Sequence, residues 1–366
     1  MGFEMEQTDQ LILDTAQRLF SDHCGAEVVN GAENGVASVR LLSALLEAGL
    51  PLAWVPEAAG GVGGSLALGF SLIRQSAGFA LAAPLAETLV ANRVLAEGGL
   101  ELSESWAVLV FDGGTLPTLV DGKVSGLVES APMHAGVAHL VVPVSDQGVI
   151  RIATFAADKV EIDYRESLAG EARAQVQLSE AVPLELSSAM DGVSEHGLMQ
   201  FCALVRACQI AGAMEKMNEL TVAYVKERQQ FGRALGKFQA IQHKIADIAG
   251  ESALANASVE QAIRELSQHP QPFSGSEDTF LSVATAKVVA STAAGTVSRL
   301  AHQCHGAMGF SYEYPLQQYS RRIWSWREEY GSEFYWSERI GLAVADELKQ
   351  SAASQNGGRV WEIISR

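Results

Sequence analysis

Long helical stretches dominate the second half of this chain, over residues 190–229, 237–268 and 277–305. The last is rich in Ala and Val, and a loop with Pro270, Pro272 and Gly275 divides it from the second. Helices of that length must lay an apolar stripe on neighbours, which predicts a helical bundle. Between about 104 and 186 the pattern is different. Ala107–Phe111, His139–Val144 and Gly148–Ile152 are short, apolar and β-prone, with turn signals at Asp112-Gly113-Gly114, Asp121-Gly122 and Ser145-Asp146-Gln147. Residues 5–100 return to helical spacing. Leu11, Leu13, Ala16, Leu19 and Phe20 make one apolar face, and Arg40–Leu46 begins another that Gly49 and Pro51 end. A third helical region spans about 66–98, with Pro84 as a break or first-turn residue. The order helices, strands, helices predicts an α+β protein: an N-terminal α-helical domain (1–103), a small antiparallel β domain (104–188) and a C-terminal four-helix bundle (189–366).

Composition narrows the function. Over 366 residues, 48% are hydrophobic and 19% charged, the balance of a folded chain with a large core. Acidic residues outnumber basic ones 43 to 26, a formal net charge of -17, which disfavours nucleic acid as a partner. No uninterrupted apolar run approaches the roughly 20 residues of a membrane span. The start, MGFEMEQTDQ, lacks a basic n-region and predicts no signal peptide; its Met-Gly fits a myristoylation site poorly. Cys24, Cys202, Cys208 and Cys304 are dispersed, with no CxxC pair, which fits a reducing cytoplasm.

The chemistry-bearing motifs cluster late. QCHGAMGFSYEYP (303–315) is followed by RRIWSWREEYGSE (321–333), and upstream lie YVKERQQFG (224–232), Phe238-Gln239-x-x-Gln242 and the loop VPEAAGGVGG (55–64). Together they resemble the acyl-CoA dehydrogenase family across nearly the whole chain. The matching family patterns are Gln-x-x-Gly-Gly-x-Gly-Phe, Tyr-x-x-x-Arg-x-x-Phe-Gly and Pro-Glu-x-x-Gly-Gly-x-Gly. The resemblance implies the three-part fold above, FAD as cofactor, acyl-CoA as substrate and an electron-transfer flavoprotein as electron acceptor. It implies that Arg228 meets the FAD pyrophosphate, with Gln230, Phe231, Phe238 and Gln239 beside it. Gln303 would lie near the adenine, and Gly306, Ala307 and Gly309 would let backbone approach the cofactor, Ala307 replacing the usual second glycine. Plainer readings exist for several of these residues. Arg228 suits the C-terminal end of a helix dipole. The aromatic cluster Trp324, Trp326, Tyr330, Phe334, Tyr335 and Trp336 suits packing. The 60–64 glycines, with no strand before them, read as a turn rather than a phosphate cradle. His302 and His305 around Cys304 lack a third ligand, so no metal is expected.

Three family features are missing. Counting from Pro315, the usual catalytic Glu falls on Tyr330, with Gly331 and Ser332 in register. Holding a tyrosine of pKa near 10 as phenolate at pH 7 would cost roughly 4 kcal/mol, so an unassisted Tyr330 is a poor base. The alternative family position, counted back from Phe231, is about Phe201; Glu195 lies too far upstream, and Glu329 is the weak remaining candidate. The β-domain Thr-Glu-Pro-x-x-Gly-Ser-Asp segment is absent, and Arg321-Arg322 stands where the family has Arg-Asp. In the family each FAD straddles a subunit boundary. This chain keeps the residues given to a neighbour's FAD and lacks those for its own. The expectation is therefore a partner subunit in a heterotetramer with a homologous dehydrogenase. A self-sufficient homodimer or homotetramer with a relocated base, and a flavin-free scaffold, are the alternatives.

Overall fold

The computed structural model describes residues 7–354 apart from residue 135. The N-terminal stretch read for leader signals is only partly covered, since residues 1–6 lie outside the described residues, as do 355–366 of the C-terminal region. Five helices come first: α1 (Gln7–His23), α2 (Ala26–Glu33), α3 (Val39–Glu47), α4 (Leu66–Ala77) and α5 (Leu85–Glu97). Pro84 is the N-cap of α5, so the 66–98 region breaks into two helices at that proline. The glycine loop before α4 is tightly packed: a Cβ on Gly61 would lie 2.2 Å from the Val55 carbonyl oxygen. Ser65 caps α4 by accepting from the Leu68 amide, and its hydroxyl donates to Asp9 of α1.

Eight strands follow: β1 (Ala107–Leu109), β2 (Thr118–Val120), β3 (Lys123–Pro132), β4 (His139–Asp146), β5 (Val149–Ala156), β6 (Glu161–Arg165), β7 (Arg173–Ala181) and β8 (Glu185–Leu186). They form one sheet in the order β6-β7-β3-β2-β4-β5-β8, with β1 beside β4. The sheet is mainly antiparallel, but β1 and β2 each run parallel to β4.

The C-terminal helices are α6 (Glu195–Glu227), α7 (Gln239–Gln268), α8 (Glu277–His305), α9 (Leu316–Glu328) and α10 (Glu333–Ser354). Helix α6 starts five residues later than its apolar pattern suggests. The preceding segment pairs elsewhere, with the Met190 amide donating to the Ile150 carbonyl of β5. Ser194 then caps the helix through the Gly197 amide. Helix α6 packs on α4, α7, α8 and α9 and is buried on every face through its first half. By length and composition α6 and the segment Glu277–Phe310 could each cross a membrane. The apolar window of α6 is wholly buried within the protein, however, and that of Glu277–Phe310 half buried.

Candidate functional site

Two places matter, one at the far ends of α6 and α8 and one where α9 turns into α10. At the first, α6 ends on Arg228, whose backbone is extended. The chain then makes a two-residue hairpin, β9 (Gln229–Gln230) and β10 (Arg233–Ala234). Its turn is Phe231-Gly232, both with positive φ (52° and 79°), the geometry of a tight primed turn. The motif's Phe-Gly thus reverses the chain and leaves Arg228 and Gln230 on one edge.

Helix α8 ends on Gly306 at φ 60°, ψ -139°, a conformation that essentially only glycine adopts, and a Cβ there would meet nothing within 4 Å. A cavity of about 480 Å³ lies between these two helix ends. Arg228, Gln230, Gln303, Gly306 and Ala307 line it together with Tyr224 and His305. Gln303 is oriented by Lys244, whose ammonium donates to its side-chain oxygen at 2.6 Å. Among the described residues no carboxylate pairs with the exposed Arg228.

The other residues expected here sit apart. Phe231 is 90% exposed at the hairpin tip, its ring 6.2 Å from Phe238 and edge-on to it. Gln239 is exposed at the start of α7. Gly309 is buried, and a Cβ there would press on His302 at 3.0 Å, so its role in the fold is close packing. His302 and His305 diverge: the His302 Nε2 pairs with the Ser320 hydroxyl, while the His305 ring lies between Tyr224 and Tyr314. Among the described residues no group of three or more metal-ligating side chains occurs.

At the second place the chain leaves α9 through extended Glu329, left-handed Tyr330 (φ 52°) and Gly331 (φ 88°). A positive φ at Tyr330 costs about 1–3 kcal/mol, so its surroundings must impose it. They do. The Tyr330 hydroxyl donates to the Phe111 carbonyl at 3.1 Å, and the Tyr330 carbonyl accepts from the Trp336 indole at 2.9 Å. The ring stacks on Phe111, and the Arg206 guanidinium lies 5.7 Å from its centroid. Burial raises the Tyr330 pKa well above its ordinary value, the reverse of what a phenolate base requires.

Glu329 is held as firmly. Arg173 of β7 donates to its Oε1 at 2.6 Å, Arg206 of α6 to its Oε2 at 2.8 Å, and the Ser325 hydroxyl to Oε1 at 3.2 Å. Burial alone would raise its pKa, but the two guanidiniums bring it down to about 2. With its oxygens engaged and its basicity lowered, Glu329 is unsuited to remove a carbon-bound proton. Arg206 also donates to Glu87 of α5 at 2.9 Å, and Arg173 to Glu171 at 3.1 Å. The space among Ala86, Glu87, Val90, Leu109, Cys202, Arg206 and Tyr330 shrinks to about 20 Å³, room for one water. Phe201 is fully buried against Trp54, Phe70 and Phe273 and brings no acid to the site.

Sequence motifs reach Glu329 and Tyr330 but not the rest of this buried cage. One signal pointed to it: Arg206 is the sole charged residue between Glu195 and Glu215, and a lone cation in so apolar a stretch needs a partner.

Residues 194–333 match the family described as Acyl-CoA dehydrogenase, C-terminal domain. Residues 194–333 are thus similar in sequence to the C-terminal domain of acyl-CoA dehydrogenases, and the chain as a whole shares the fold of those enzymes. Over 86% of its length it is 28% identical to acyl-CoA dehydrogenase IpdE2 of Mycobacterium tuberculosis, covering 90% of that protein. Among solved structures it resembles a chain of the ChsE4-ChsE5 complex of M. tuberculosis, with TM-score 0.83, 19% identity and coverage of 94% and 99%. It also resembles a chain of the Tcur3481-Tcur3483 steroid ACAD, solved as a variant, with TM-score 0.82, 22% identity and coverage of 93% and 98%.

Proposed function

We propose that this chain is the partner subunit of a heteromeric acyl-CoA dehydrogenase, lending the pyrophosphate and adenine half of a shared FAD site to a homologous chain that carries the base. One observation carries this reading. The turn where the base belongs presents a hydrogen-bonded tyrosine and an arginine-clamped glutamate, while the nucleotide half of the site stays open. The residues of that half suit the group. Arg228 offers a diphosphate a guanidinium fork that no carboxylate among the described residues claims. Gly306 leaves its face clear for close approach, and Gln303 is oriented at the cavity edge. FAD bound there would supply the hydride acceptor for α,β-desaturation of an acyl-CoA thioester, with electrons passing on to an electron-transfer flavoprotein. The two-protein names of both structural relatives fit a heteromer, and the steroid ACAD suggests a steroid-derived acyl group.

The test is co-purification with the companion chain, followed by flavin counting and an acyl-CoA assay with an artificial electron acceptor. The expected result is half a flavin per chain, activity only in the complex, and at least a tenfold loss of flavin affinity in Arg228→Ala. Turnover by this chain alone would establish the self-sufficient homomer instead. A colourless complex would establish the flavin-free scaffold.

A further inference from the structure

We infer that Arg173 and Arg206 form a carboxylate-binding site inside this chain's own cleft, and that Glu329 is its built-in ligand, seated there so that Tyr330 bars the cleft. This deepens the proposed function, since it names what keeps the chain's own half silent. The two guanidiniums come from β7 and α6 and converge on one carboxylate from the end of α9. Arg206 is 2% exposed and Arg173 8%, so the site is built into the interior rather than formed by mobile surface side chains.

The charges around it balance only with an anion present. Arg173, Arg206 and Arg322 face Glu87, Glu171 and Glu329, while Lys287 of α8 lies behind the same turn. Among the described residues the Arg322 Nε has no hydrogen-bond partner, and its nearest carboxylate oxygen, on Glu171, is 4.0 Å away. Emptying the Glu329 position would therefore leave uncompensated positive charge in a region of low dielectric. Access exists. A cavity of about 550 Å³, lined by Arg173, Glu329, Tyr330, Trp324 and Ser130, opens directly onto the clamp. A small carboxylate from solution could reach the two arginines by that route if the glutamate side chain were gone.

Seating Glu329 also sets the direction of Tyr330. With the carboxylate pinned, the next residue has little freedom, and its ring fills the space between α5 and α6. The cleft is closed by the clamp as well as by the loss of a base.

The experiment uses the full chain carrying Glu329→Ala, melted in sodium acetate and in sodium chloride at matched ionic strength. The variant should melt roughly 5 °C or more below wild type. Acetate at a few hundred millimolar should recover at least half of that drop, and chloride much less, because a ligand that binds only the folded state stabilises it. Glu329→Gln, whose amide fills the position, should show no acetate-specific gain. An acetate response in Glu329→Ala no larger than in wild type, or no larger than with chloride, overturns the inference. Should Glu329→Ala not fold, Glu329→Gln decides. With two arginines short of a counter-charge, its melting temperature must rise with sodium chloride more steeply than that of wild type, and equal slopes overturn the inference. Flavin stoichiometry does not enter these readouts, so the carboxylate site and the shared FAD site can fail independently.

Discussion

Lys287, in the middle of α8, has no exposed surface, and its amine donates to the carbonyls of Trp326 (3.0 Å) and Arg327 (2.6 Å) at the end of α9. Those carbonyls lack partners within their own helix, and a buried amine satisfies them. Two acceptors need only two N–H groups, which a neutral amine possesses. Burial lowers the Lys287 pKa from the ordinary lysine value to about 7, against the opposing pull of Glu329 and Glu333. Between pH 7 and about 10 the unfolded chain then binds a proton that the folded chain has released, so this group's contribution to stability rises with pH through that window. In Lys287→Met the term vanishes and the two carbonyls lose their donor. The stability of wild type relative to Lys287→Met should therefore grow between pH 7 and pH 9.5. Urea denaturation at several pH values measures it, and a flat difference would show that the amine stays charged in the folded state.

At the scale of elements, close crossings depend on single glycines. Helix α6 passes α4 at Gly212, where an added Cβ would lie 2.1 Å from the Arg74 carbonyl oxygen. Arg74 also donates to Glu215 one turn further along α6 and to Glu260 of α7, tying three helices together. Gly212→Ala would push the two helices apart and cost about 2–3 kcal/mol, read as a lowered urea midpoint with unchanged slope. The loss should exceed that of Gly250→Ala on α7, whose Cβ would meet nothing within 4 Å. Helices of this kind are legible in a sequence because their apolar spacing is local. Pro84 likewise marks a break on its own. The start of α6 was not legible, since Met190 is claimed by a strand forty residues upstream. The parallel pairings of β1 and β2 with β4 escaped for the same reason. The site divides along the same line. Arg228, Gln230 and Phe231-Gly232 form one continuous turn, and Gln303 to Ala307 one helix end, so motif spacing could single them out as candidates. The cage draws Glu87, Arg173, Arg206 and Glu329 from four separate elements, and no local pattern links them.

For the molecule as a whole, the formal net charge of -17 opposes any polyanion, and the proposed FAD site has to hold a diphosphate against that field. The global repulsion acts over long distances and fades once the Debye length falls to about 8 Å at physiological ionic strength. A guanidinium in contact with phosphate acts at about 3 Å and survives better, though it too weakens with salt. The two effects have opposite signs. Adding salt relieves the repulsion, which tightens flavin binding, and screens Arg228, which loosens it. The proposed companion chain would contribute the same charge to wild type and to Arg228→Ala. The difference between their salt dependences therefore isolates one side chain. Between 20 and 300 mM sodium chloride, the FAD affinity of the wild-type complex should fall more, or rise less, than that of the Arg228→Ala complex. The gap between the two proteins should narrow several-fold as salt increases. Titration of the apo complex followed by flavin fluorescence measures both curves. Parallel curves would mean that Arg228 does not face the phosphates, and that the exposed cation at the end of α6 serves only its helix dipole.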